Sequence, residues 1–217
     1  MALLSLVLCL AGEAHAGVTM WGVGPTVSTV LYPIRYPKAF PKAADDLGWS
    51  YDGSRGDFSL GAHGIFYVDM DSRLGARAGV GWGAGWSHRW IDVEYERIFT
   101  SDSGFHLLGG VGLGLGQDGF TDTVDNQLDA SFFMGRADFG GIYRDKVRAY
   151  ELDLYAQYSV VAEHRFTPAG SEESEVIKGA GSRYPAIGVE ATVYFGDFTP
   201  PKSGKPKGGK GGVGKPK

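Results

Sequence analysis

The chain has 217 residues, of which 35 are glycine, and 13% of its residues are aromatic. This length suits one domain of ordinary size, and the alternation of glycine with aromatic and aliphatic residues indicates an all-β protein. The formal net charge is −4 and the only cysteine is Cys9, so a mature chain that begins after residue 16 has no disulfide and no thiolate metal site.

An apolar run from Ala2 to Ala11 opens the sequence and is followed by Ala14-His15-Ala16. This A-x-A pattern is typical of a secretory signal that is cleaved before Gly17. The run is too short to span a bilayer as a helix. We therefore predict that residues 1–16 are a signal peptide and that residues 17–198 form one folded domain.

After the predicted signal peptide, apolar residues alternate with small or polar residues with a period of two. This period is typical of a strand, because successive side chains of a strand point to opposite faces of a sheet. In the stretch Arg73–Trp86, glycine or arginine alternates with apolar residues throughout. The same alternation predicts eight strands, of which the first is the least regular because Pro25 interrupts it. They are expected within 17–32 and near 57–70, 73–86, 88–99, 104–116, 129–143, 147–162 and 184–195.

Long and short connections alternate between these strands, so that the long loops share one end of an up-and-down meander. The long loops are predicted at 33–56, 117–128 and 163–182. The tight turns are predicted at 71–72, 100–103 and 144–146. A short connection near Ser87 is the exception at the loop end. This layout is typical of an outer-membrane barrel, which has short periplasmic turns and longer outer loops.

One face of the predicted strands carries charges of both signs near the strand middles. The interior of an eight-stranded barrel is only wide enough for side chains, and charges buried there must be paired. We therefore predict an inward-facing, structural ion-pair network rather than a catalytic group of carboxylates. Its predicted members are Arg77, Asp92, Glu94, Arg136, Asp138, Glu151, Asp153 and Glu190.

The other face is apolar, and its aromatic residues collect at the strand ends around an aliphatic band. Two aromatic girdles of this kind match the cross-section of a bilayer. The predicted girdle residues are Phe99, Phe105, Tyr143, Tyr150 and Phe195 toward the turn end, and Phe58, Trp86, Phe133 and Tyr158 toward the loop end. A soluble lipocalin-like barrel also alternates, with its apolar face inward, and is the rival fold.

With these features the chain resembles the small eight-stranded outer-membrane barrels typified by OmpA and OmpX, over about residues 17–198. The segment "IGVEATVYF", Ile187–Phe195, resembles that family's closing-strand signal, a glycine followed by alternating apolar residues that end in an aromatic. The resemblance implies an eight-stranded antiparallel up-and-down transmembrane β-barrel in the outer membrane of a Gram-negative-type bacterium. We expect a monomer in contact with outer-membrane lipid and lipopolysaccharide.

The sequence contains only weak matches to ligand-binding and metal-binding motifs. The segment "GLGQDG", Gly114–Gly119, matches a nucleotide-binding fingerprint, but a polar loop rather than a helix is predicted after it. The histidines of the mature chain are His63, His88, His106 and His164. No pair of them has a metal-ligand spacing, so neither a cofactor nor a metal is predicted.

Three functions follow from this architecture. The leading prediction is a non-enzymatic protein with a structural or adhesive role through its outer loops. The second is a narrow pore or a conduit for a small hydrophobic molecule. The third is a lipid A-modifying enzyme, since barrels that trim acyl chains from lipopolysaccharide use a Ser/His/acid site and Ser87, His88 and Asp92 are predicted near the loop end.

From Pro200 onward the chain carries six lysines and no acidic residue among glycine and proline. Such low complexity predicts a disordered periplasmic tail over residues 199–217. A solvated tail without a partner is the first interpretation, and contact with an anionic cell-wall polymer is the second. Nothing in the sequence indicates nucleic-acid binding.

Overall fold

The computed structural model describes residues 20–31, 34–35, 54–55, 58–83, 85–99, 104–177 and 183–200. The predicted signal peptide and residues 201–217 of the predicted tail lie outside these residues. Within the described residues the regular structure is entirely β. No helix there is both long and apolar enough to cross a bilayer.

Eight long strands form the body of the protein. They are β1 (Trp21–Val30), β2 (Phe58–Tyr67), β3 (Ser72–Gly83), β4 (Trp86–Ile98), β5 (Phe105–Thr121), β6 (Gln127–Arg144), β7 (Arg148–Thr167) and β8 (Arg183–Asp197). Three short strands accompany them: Ile34–Arg35 pairs with Ser54–Arg55, and Glu175–Ile177 pairs with the end of β7.

Each long strand pairs antiparallel with the next along the chain, and β8 pairs with β1. The sheet therefore closes on itself and leaves no long unpaired edge. The predicted all-β, eight-stranded, antiparallel up-and-down barrel is confirmed. Below, the upper end is the end where β1 leaves toward β2 and β5 turns into β6, and the lower end carries the turns β2–β3 and β6–β7.

Pro25 lies at the seam where β1 meets β8. It pairs with Ala62 of β2, while the ladder to β8 is interrupted between Val23 and Thr26. A residue without an N–H fits such an interruption. At the neighbouring Gly24 the two strands approach so closely that an added Cβ would lie 1.7 Å from the Val193 carbonyl oxygen. The irregular first strand of the sequence pattern is thus a property of the closing seam.

Three strands extend further than their pattern predicted. β5 ends at Thr121, β6 begins at Gln127 and β7 ends at Thr167, so the predicted loop at 117–128 is wrong and the connection spans only 122–126. Beside the buried Asp118 and His164, the inward side chains of the extra segments include Phe120, Leu128 and Phe166, which are each at most 2% exposed. Because these residues pack together, the three strands continue above the rest of the wall.

Candidate functional site

The inner face of the barrel carries an ion-pair network. Arg77 of β3 donates to Asp92 of β4 and to Glu190 of β8, each at 2.9 Å. Its Nη2 also lies 2.5 Å from Glu94. Arg136 of β6 donates to both oxygens of Glu190, at 3.0 and 3.2 Å, and lies 4.1 Å from the ring centre of Tyr155. Strands that are not neighbours are therefore tied to one another across the lumen.

A second arginine of β3 holds the part of the network nearer the lower end. Arg73 donates to Glu96 of β4 at 2.5 Å and to Glu151 of β7. Glu151 also accepts from the hydroxyl of Tyr194, at 3.0 Å. The Arg73 side chain is fully buried, so these carboxylates replace the water that would otherwise solvate its guanidinium.

His63 of β2 connects the two parts. Its Nδ1 lies 2.6 Å from the hydroxyl of Tyr194 and its Nε2 lies 2.6 Å from Oε1 of Glu94. Three possible metal-ligand atoms meet here, one each from His63, Glu94 and Glu96. They all lie within 4.8 Å of one another, which is close enough to hold a metal ion.

All eight residues of the predicted network line the lumen, and each is at most 8% exposed. Asp138 lies 4.0 and 3.9 Å from Arg77 and Arg136, and Asp153 of β7 is the ladder partner of Glu190 of β8. The prediction omitted four members: His63, Arg73, Glu96 and Tyr194. The signal for them was the same period of two, since Arg73 is four residues before Arg77 and Glu96 is two residues after Glu94.

Apolar clusters close the lumen on both sides of the charged layer. The upper cap consists of Trp86, Phe120, Leu128, Ala130, Phe132, Met134, Val161, Phe166, Ile177 and Ala186. The lower cap consists of Met20, Ile65, Tyr67, Ile98, Leu108, Ile142, Ala149, Tyr194 and Phe198. An internal cavity bordered by Ser59, His88 and Arg136 has a volume of only about 10 Å³, room for about one water molecule. The described part of the lumen is filled by side chains.

Trp86 is a correction to the predicted girdle. It is 5% exposed and belongs to the upper cap, whereas Trp82 is 49% exposed on the outer surface. β3 ends at Gly83, and Gly85 in the connection has a φ of 72°. Gly83 pairs with Trp86, and directly paired residues of antiparallel strands share a face. Because β3 ends at Gly83 and β4 begins at Trp86, the period of two does not continue through the turn, and Trp86 faces inward rather than outward as predicted.

The other predicted girdle residues point outward and are between 45% and 59% exposed. Together with Trp82 they form two rings. The upper ring is Phe58, Trp82, Phe133 and Tyr158, and the lower ring is Phe99, Phe105, Tyr143, Tyr150 and Phe195. Phe133 and Tyr143 are ten residues apart on β6. At a rise of about 3.3 Å and a tilt of about 40°, this separates the rings by about 25 Å, the height of the apolar band of outer-membrane barrels.

The predicted Ser/His/acid group is not brought together. Ser87 points outward while His88 is buried, because neighbours in a strand face opposite sides. Asp92 is engaged by Arg77. His88 instead contacts Asp118 through Nδ1 and stacks on Phe132 at a ring separation of 5.7 Å.

These features define the class of protein by its fold: a closed eight-stranded barrel with a filled, charged interior and an apolar, ring-bordered exterior, the architecture of small outer-membrane barrels. No family model matches the sequence, and a search of curated proteins finds no match. Among solved structures, that of Neisserial surface protein A is similar, with a TM-score of 0.50 and 12% identity over 81% of this chain and 96% of that chain. The resemblance to small eight-stranded outer-membrane barrels is thereby confirmed at the level of the fold.

Proposed function

We propose that the protein is a non-conducting outer-membrane barrel that acts at the cell surface, in a structural or adhesive role, through its upper end. The sealed lumen is the observation that carries this proposal. A pore or a conduit for a hydrophobic molecule needs a continuous path, whereas the described lumen holds two apolar caps with a cross-linked ionic layer between them.

The outer surface supports residence in a bilayer. Apolar side chains between the two rings are exposed, and Val111, Leu113 and Leu154 are each more than half exposed. A soluble protein rarely presents such a continuous apolar belt to water. Residues 1–16 would direct export as a cleaved signal peptide. The polar neighbours Arg89 and Gln117 face outward near the upper ring, where they would contact lipopolysaccharide headgroups.

The tip of the β5–β6 hairpin supports a role in recognition. Asp122 accepts from the backbone N–H groups of Val124 and Asn126, each at 2.9 Å. Asn126 accepts from the backbone N–H of Ala169 at 3.0 Å, which ties the tip to the segment after β7. A rigid tip loses little conformational entropy when it binds a partner.

For the tail after Pro200, we propose contact with the cell-wall polymer through its lysines.

Planar-bilayer recordings test the sealed lumen. We expect purified, reconstituted protein to give no channel steps above the bare-membrane background at any voltage the bilayer withstands. The positive control is a matched preparation of an open porin. Reproducible unitary steps, which disappear when the protein is heat-denatured before addition, would contradict a non-conducting barrel and favour the pore.

Surface adhesion tests the proposed role. Replacing residues 122–126 with glycine and serine should leave the barrel folded, seen as heat-modifiable gel migration, and reduce adhesion of expressing cells to the level of cells without the protein. The matched control replaces Asp145 and Lys146 in the β6–β7 turn at the lower end, and should change nothing. Unchanged adhesion in both variants would argue against an adhesive tip, and altered lipid A acyl chains on overexpression would favour an enzyme.

A further inference from the structure

The His63, Glu94 and Glu96 cluster lies in a part of the lumen with too few cations. Among the described residues of the network, seven carboxyl groups face three guanidinium groups: Asp92, Glu94, Glu96, Asp138, Glu151, Asp153 and Glu190 against Arg73, Arg77 and Arg136. All are nearly inaccessible to water. Unpaired buried charge is very costly, so protons or cations must neutralise much of the excess.

The hydrogen-bond directions locate one of these positive charges. Arg73 donates to Oε2 of Glu151, which therefore acts as an acceptor. The hydroxyl of Tyr194 donates to the other oxygen of Glu151. A phenol has one proton to donate. The contact between Tyr194 and Nδ1 of His63 must therefore use the hydrogen of Nδ1.

The other ring nitrogen of His63 then faces a carboxylate directly. Its Nε2 lies 2.6 Å from Oε1 of Glu94, and two lone pairs cannot approach so closely without a positive charge between them. A proton fits this distance as it stands, whereas a zinc ion, which binds nitrogen and oxygen at about 2.0–2.2 Å, would replace the proton as the two atoms move apart to about 3 Å. A proton on Nε2 adds one positive charge, whereas a divalent ion adds two and neutralises more of the excess.

We propose that a divalent transition-metal ion is held by Nε2 of His63 and by the carboxylates of Glu94 and Glu96. Imidazole nitrogen with carboxylate oxygen is a ligand set that suits zinc and its neighbours. The surroundings resemble the support that metal-binding histidines have: Nδ1 donates to Tyr194, which donates to Glu151. Arg73 and Arg77 engage Oε2 of Glu96 and of Glu94, each at 2.5 Å, and so orient both carboxylates.

The caps decide when the ion enters. Because apolar clusters close both sides of the charged layer, the ion is captured as the barrel folds and is then retained against chelators. The proposal depends on the closed barrel alone and not on the proposed adhesive role, so either can fail without the other.

The experiment refolds untagged protein from urea into detergent with zinc chloride alone, and treats the folded fraction with EDTA before measuring metal per chain by mass spectrometry. We expect about one zinc ion per folded wild-type chain and less than a tenth of that in H63Q. The matched control is H106Q, which removes another buried lumenal histidine and should retain the ion. Heat-modifiable migration verifies folding of each variant.

Metal-free folded wild-type protein would overturn the proposal and assign a proton to Nε2 of His63. Equal zinc in folded H63Q and wild type would overturn it as well, since the ion would then lie elsewhere. If H63Q does not fold, wild-type protein refolded with cobalt chloride decides: visible ligand-field absorption that survives EDTA supports the site, and its absence refutes it.

Discussion

Trp82 and Trp86 are four positions apart in the sequence but lie on opposite sides of the barrel wall. Trp82 belongs to the upper ring and packs edge-on against Phe58 at a ring separation of 6.0 Å. Trp86 fills the upper cap, where its indole covers Gly83 so closely that an added Cβ there would lie 1.9 Å from Nε1. The energetic roles of the two side chains therefore differ.

Replacing Trp86 with alanine should cost about 3–5 kcal/mol of the free energy of unfolding, because a large buried side chain leaves a cavity. Trp82→Ala is the control, and its loss should be clearly smaller because the indole lies on the outer face and is 49% exposed. Urea titration in detergent, followed by heat-modifiable migration, measures both. Equal losses would contradict the assignment of Trp86 to the interior.

Arg77→Met should cost about 3–5 kcal/mol of the free energy of unfolding, because it leaves buried carboxylates without their cation. The affected groups are Asp92, Glu94 and Glu190, all within 2.9 Å of its guanidinium nitrogens. Arg89→Met, on the outer surface, should change the same quantity by less than about 1 kcal/mol. A loss of less than about 1 kcal/mol for Arg77→Met as well would mean that the lumen is hydrated and that the network is not a sealed layer.

Among the elements, the upward extension of β5, β6 and β7 is the part most exposed to changes in the medium. His164 of β7 lies six residues beyond Tyr158 of the upper ring, outside the segment between the rings. Burial lowers the pKa of His164 to about 4 from an ordinary value of 6.5. Protonation of His164 is therefore less favourable in the folded extension than in the unfolded chain.

Acidification should open this extension. Because the folded pKa of His164 lies below the unfolded one, its contribution to stability is intact above pH 6.5 and is lost as the pH falls toward 4. Amide protection factors of residues 117–131 and 161–167 should fall over that window, while those of β3 do not. In His164→Leu the same segments should lose this pH dependence. A pH dependence that persists in His164→Leu would assign it to another group.

The seam between β1 and β8 is a second element-scale test, because closure depends on a close backbone approach. Gly24→Ala would place a Cβ 1.7 Å from the Val193 carbonyl oxygen, whereas at Gly135 an added Cβ meets nothing within 4 Å. We expect Gly24→Ala to reduce the heat-modifiable, folded fraction strongly and Gly135→Ala to leave it unchanged. Equal folded fractions would show that the seam has room to relax.

For the whole molecule, period-two alternation was sufficient to predict the barrel, because each strand keeps one face toward one environment along its length. It failed where the environment changes: beyond Leu115, glycine and acidic residues resemble a loop, yet Phe120 and Leu128 continue the inner face. It also could not find contacts such as His63 with Glu94, since these depend on the register of β2, β3 and β4. That register is fixed by turns and pairing, which the sequence pattern does not contain.

Lipid-quenching of single tryptophans tests the central claim that the apolar outer face meets hydrocarbon while the charged inner face is sealed. Two variants would each keep one tryptophan, Trp82 or Trp86, with the others replaced by phenylalanine, and would be reconstituted in vesicles of lipids with brominated acyl chains. We expect strong quenching of Trp82 and little quenching of Trp86. Quenching of Trp86 with a protected Trp82 would contradict it.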